Sequence, residues 1–188
     1  PTDGAASAVV RVAVLDAGHA YQAVGQLNYS TAFRFQATSV NAGQIDTLAE
    51  LNAYDVVVIG DGDSRQAMVQ VAPALRAWVE AGGGLVATGG TVRVAGSSYN
   101  TLITDIDAVV PVRMAVCVTY GSPTVHFLDT SHPVTQGLSD FGISSQVEVA
   151  YSGADADATV LATVDIWPSV VVGTPGSGRS VYLGPAYV

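Results

Sequence analysis

Apolar positions in this chain fall into short, nearly unbroken runs separated by helical spacing and turn residues. Val9 to Leu15 (VVRVAVL) is rich in β-branched residues and ends at Asp16-Ala17-Gly18, the form of a first strand feeding a loop. A helical stretch around Ala20 to Leu27 follows, and Phe33 to Val40 (FRFQATSV) alternates as a second strand. The run Val56 to Ile59 is apolar throughout and releases into GDGDSRQ, Gly60 to Gln66. Met68, Val71, Leu75, Trp78 and Val79 then recur at helical spacing, with Pro73 expected near a helix start or kink and Gly82 to Gly84 as the stop. Leu85 to Thr88 is the next buried strand. Continuous apolar strands alternating with helices predict a parallel sheet covered on both faces.

Beyond Pro111 the pattern changes to short β-rich runs: VRMAVCVTY, TVHFL, QVEVAY, ATVLATV, SVVVG and SVYLG. The last two flank TPGSGR and read as a hairpin. The fold class expected is therefore α/β, a flavodoxin-like three-layer sandwich whose mostly parallel central sheet gains an antiparallel C-terminal extension. Residues 9–188 read as a single domain. The opening PTDGAASA, residues 1–8, reads as a linker or processed N-terminus, so the chain is expected to be a fragment of a larger, exported protein.

Composition agrees with a large buried core: 49% of the 188 residues are hydrophobic, 12% are charged, and the mean hydropathy is +0.38. No apolar run reaches the roughly 18 to 20 residues of a membrane helix. Sixteen acidic residues stand against seven basic ones, all Arg, for a net charge of −9. A surface of that sign lacks the basic footprint that nucleic-acid binding requires.

The lone cysteine, Cys117, excludes an internal disulfide and a CxxC metal knuckle, and its apolar surroundings predict a small buried hydrophobe. In open α/β sheets ligands bind beyond the carboxyl ends of strands. The loops carrying Asp16, His19, Asp61 and Asp63 are the polar groups placed there, and His132, in Ser131-His132-Pro133, is a further candidate for a catalytic or sugar-binding set. Each also reads as turn or cap chemistry, with side-chain oxygens bonding nearby backbone N–H groups. Asp61 and Asp63 alternate as calcium ligands can, without the full EF-hand pattern, and no cofactor is expected.

Four segments taken in order carry a family likeness: AYDVVVIGDGDS, PALRAWVEAGGGLVATGG, HPVTQGL and VVVGTPGSGRSVYLG. Together they resemble the class I glutamine amidotransferase-like superfamily, in particular its ThuA-like branch and the trimerisation domain of some bacterial β-galactosidases. The resemblance implies a nucleophile at a G-x-C-x-G elbow, yet the matching positions are Thr88-Gly89-Gly90-Thr91-Val92, so Gly89, Gly90 and Thr91 form a degenerate elbow without a thiol. The expectation is a non-catalytic, amidotransferase-like interaction or assembly module whose partners are other domains or subunits. The alternative is a ThuA-like enzyme or carbohydrate-binding domain with a polar site at the carboxyl edge of the sheet.

Overall fold

The computed structural model describes residues 8–15, 20–60, 63–97, 101–144 and 146–185. Eleven strands and five α-helices are named below in chain order. The first half contains β1 (Val10–Leu15), α1 (Ala20–Asn28), β2 (Phe35–Val40), α2 (Leu48–Leu51), β3 (Val56–Ile59), α3 (Arg65–Glu80), β4 (Gly84–Thr88), α4 (Gly89–Ala95) and α5 (Thr104–Asp107). The second half is all β: β5 (Cys117–Gly121), β6 (Thr124–Phe127), β7 (Phe141–Gly142), β8 (Gln146–Ala150), β9 (Thr159–Val164), β10 (Trp167–Gly173) and β11 (Arg179–Leu183).

Nine strands form one sheet in the order β2-β1-β3-β4-β11-β10-β9-β6-β7. The first five are mutually parallel, and from β11 outward every pairing is antiparallel. This is the mixed α/β sheet expected from the runs. Alternation along the strands divides the core. Ala13, Leu15, Val57, Ile59, Leu85, Ala87 and Tyr182 face α3, whose Met68, Val71, Leu75, Trp78 and Val79 are buried against them. Val12, Val14 and Val58 face the other way, toward Ala20 and the partly buried Ala23, Val24 and Leu27 of α1.

Three expectations need correction. The second strand begins at Phe35 instead of Phe33. Pro73 lies in the interior of α3, on its exposed side, where the carbonyl it leaves unbonded can be hydrated. VRMAVCVTY and QVEVAY do not extend the main sheet: β5 and β8 pair with each other as a separate antiparallel ribbon. That ribbon folds over the ends of the central strands, with Glu148 N–H donating to the Gly184 carbonyl at 3.1 Å.

The two glycine-rich turns fit each other. Gly82 ends α3 at φ +127°, a conformation that favours glycine, and the Pro175–Gly178 turn docks on the same helix end. There Ser177 N–H donates to the Glu80 carbonyl at 2.8 Å and Arg179 N–H to the Gly83 carbonyl at 3.2 Å.

At each margin of the sheet a side chain bonds the backbone of an outer strand. At β2 the Asn28 amide holds Ala37 twice, accepting its N–H at 2.8 Å and donating to its carbonyl at 3.0 Å, as a neighbouring strand would. At the far side β7 pairs only with Thr124 and Val125, and Asp140 takes over where it stops. The Asp140 carboxylate accepts Phe127 N–H and meets His126 Nδ1, both at 2.8 Å.

The α1 face is incompletely covered. α1 packs on β2 and β1, while Val56, Val86, Val181 and Leu183 stay only partly buried. A cleft of about 510 Å³ there is lined by Val12, Leu27, Phe35, Val58, Val86 and Leu183. This apolar trough adjoins two clefts of mixed character, one lined by Asp55, Val56, Val86, Arg179 and Val181 and the other by His132, Asp157, Thr159, Val172 and Val181.

Candidate functional site at the carboxyl edge

The carboxyl ends of β3, β4 and β11 lie side by side, since Ile59 registers with Ala87 and Leu183 with Thr88. β3 leaves the sheet at Gly60, whose φ is +131°. Asp63, 5% exposed, accepts Gly60 N–H through Oδ2 at 2.7 Å, and Ser64 caps α3 by accepting Ala67 N–H at 3.1 Å. The polar residues at this end of GDGDS thus build the β3–α3 turn.

At the next strand the elbow is filled. α4 begins at Gly89, directly after β4. Thr91 is fully buried, and its Oγ1 donates to the Ile59 carbonyl at 3.4 Å, while Thr88 Oγ1 donates to the same carbonyl at 3.3 Å. These two hydroxyls occupy the space a Cβ would need at Gly60. A hydroxyl held against a carbonyl in the core is not presented to a substrate.

Beyond the elbow stands a residue that the sequence reading left out, Glu148 of β8. It is 8% exposed, and its Oε1 accepts from Arg93 Nε of α4 at 3.1 Å. Its backbone carbonyl accepts the buried Tyr182 hydroxyl at 2.7 Å. A Cβ on Gly89 would lie 2.9 Å from Glu148 Cβ, and Gly184 is pressed against the Glu148 carbonyl, so both glycines are required by this close approach. Glycines at the ends of two adjacent central strands were the available sequence signal.

Cys117, opposite Ala150 in the ribbon, is 8% exposed. Burial, and then the charge of Glu148, push its thiol up to about 12, with Arg93 acting weakly the other way. It stays a thiol at any physiological pH, so it does not stand in for the missing nucleophile.

The remaining candidates separate. Asp16, His19 and Asp61 lie outside the described residues. His132 lies at the opposite edge: it lines a cleft with Asp157, Thr159 and Arg179, and Arg179 registers with Gly84, at the start of β4. Four residues at about 3.3 Å each put that edge roughly 13 Å along the strand from the elbow. His132 Nδ1 accepts Val134 N–H at 3.2 Å and its carbonyl accepts Thr135 N–H at 2.9 Å. The grouping of His132 with Asp63 is therefore corrected, because the strand length lies between them. Asp63 has one oxygen committed to Gly60, and among the described residues no three His, Cys, Asp or Glu side chains gather as metal ligands. Nor is any described helix long and apolar enough to cross a membrane.

A family model described as ThuA, trehalose utilisation, matches residues 11–185. Among solved structures, the cytoplasmic protein STM1381 from Salmonella typhimurium LT2 aligns over 95% of this chain and 89% of its own, with a TM-score of 0.75 at 17% identity. A ThuA-like protein from Bacteroides uniformis ATCC 8492 aligns over 98% and 84%, with a TM-score of 0.68 at 18% identity. The GH42 β-galactosidase Gan42B from G. stearothermophilus aligns over 95% of this chain but 28% of its own, with a TM-score of 0.60 at 13% identity. At such identities the likeness to these structures is one of fold. No curated protein sequence is similar enough to match.

Proposed function

This chain belongs to the ThuA family, and on that footing we propose that it is a non-catalytic amidotransferase-like module that acts by association. The observation that carries this reading is the filled elbow: Gly89, Gly90 and Thr91 are buried, and the nearest thiol is held protonated. The apolar trough over β3, β4 and β11 supports association as the role, since a sheet face that the described helices cover only in part is a surface for another element. A domain of this fold also forms 28% of the β-galactosidase chain, an example of its use inside a larger protein. The partner through the trough is a further copy of the chain. Sedimentation tests this: a mass above the 19.2 kDa of the monomer at micromolar concentration, abolished by Val86→Asp, supports it, and a monomer at every concentration sinks it.

A second reading has its own observation. Glu148 and Arg93 form a charged pair beside the elbow, at the edge where α/β sheets hold ligands. On this reading the domain binds a carbohydrate there, whatever its assembly.

A further inference from the structure

At the edge of the sheet opposite the elbow, three stretches distant in sequence meet around a cavity of about 70 Å³. Val110 and Pro111 follow α5, Asp155 and Asp157 precede β9, and Gly173 and Ser180 stand opposite each other in the β10–β11 pair. Ser180 is 1% exposed, and its Oγ has no hydrogen-bond partner among the described residues. A Cβ on Gly173 would lie 3.4 Å from that Oγ and 2.8 Å from Pro111 Cβ, so glycine keeps the space between these walls open. A buried hydroxyl left unbonded is costly, and alanine would fill the strand position without that cost. The acidic wall is unpaired as well. Among the described residues no basic side chain lies within ion-pair distance of Asp155 or Asp157. The backbone holds Asp155 in place, its N–H donating to the Pro111 carbonyl and its carbonyl accepting Ala158 N–H, both at 3.2 Å. Burial, and then the charges of Asp107 and Asp157, push the Asp155 carboxyl up, with Arg113 acting the other way. A cation entering between such groups relieves their repulsion.

We propose that Asp155, Asp157 and Ser180 bind a calcium ion in this cavity, stapling the stretch after α5 and the approach to β9 onto the β10–β11 hairpin. The side-chain donors are all oxygen, with no imidazole or thiol in the lining, which selects a hard cation over zinc or copper. A cavity of about 70 Å³ holds one ion with a water or two, a water's share of the liquid being roughly 30 Å³, and excludes a larger ligand. Two carboxylates, a hydroxyl, backbone carbonyls and water make an irregular set, which calcium accepts and magnesium, held to an octahedron, does not. Asp107 does not line the cavity, and its Oδ1 accepts Met114 N–H at 3.3 Å, so the site has two acidic ligands and not three. A calcium site of such low ligand charge belongs at the weak end of the range, with Kd on the order of 10⁻⁴–10⁻³ M.

Isothermal titration calorimetry of calcium chloride into the intact, EDTA-treated and desalted chain tests this, with magnesium chloride as the comparison. The expected result is one calcium site with Kd between about 0.1 and 1 mM, magnesium at least about tenfold weaker, and a melting temperature raised by calcium. Asp155→Asn should weaken calcium binding at least about tenfold. Ser180→Ala should weaken it about threefold; it removes one oxygen and adds no bulk, so it decides the matter if Asp155→Asn does not fold. Asp165→Asn, at the exposed turn between β9 and β10, removes the same charge elsewhere and should leave the affinity unchanged. No calcium binding at about 10 mM, ten times the weakest Kd expected, overturns the proposal. So does calcium that binds all three variants alike, the mark of diffuse attraction to a chain of net charge −9. Magnesium binding as tightly as calcium overturns the choice of ion.

Discussion

Cys117 illustrates how completely surroundings decide the chemistry of a side chain. Its thiol, held near 12, leaves a thiolate fraction at pH 8 on the order of 10⁻⁴, against roughly one in four for an ordinary thiol. Reaction with a disulfide reagent at pH 8 should therefore be at least about a hundredfold slower in the native protein than in urea; a native rate within tenfold of the unfolded one contradicts the burial described. The apolar run around Cys117 announced this inertness. Glu148 was not announced. In QVEVAY the alternation sets Val147 and Val149 on one side and Glu148 on the other, which normally means solvent. Here the polar side is pressed onto the strand ends, an arrangement made by the ribbon's position and invisible in the run itself.

At the scale of elements, what was legible followed from local rules. VVVI and GLVAT are too apolar for anything but central strands, and the α3 spacing placed Met68, Val71, Leu75 and Trp78 on one buried face as expected. Where β5 and β8 would pair was not legible, because alternating strands of equal length can join a sheet edge or each other with similar local energy. The edge of β2 depends on one side chain. Replacing Asn28 by Ala removes both bonds to Ala37 and should cost about 1–3 kcal/mol in urea denaturation. A loss below about 0.5 kcal/mol would mean that water replaces the amide without penalty.

For the whole molecule, the order of elements carried the fold and the degenerate elbow carried the doubt about amidotransfer. The open face came from neither, since it arises from which strands a single helix covers. The side chains seated on the sheet margins limit how copies can be arranged. Asp140 titrates below the ordinary carboxylate range, first because it accepts Phe127 N–H and then because of His126. Such a depressed carboxylate supports the native state above about pH 4 and loses that support as pH falls through its folded value. Thioflavin fluorescence should stay flat at neutral pH and rise on acidification as this carboxylate protonates, and at a higher pH for Asp140→Ala; a flat response in both contradicts the role given to this carboxylate. At neutral pH, then, the sheet is a tile with side chains seated on its borders. Tiles of this kind stack more readily than they lengthen, so growth should favour a small fixed number of copies over a fibre.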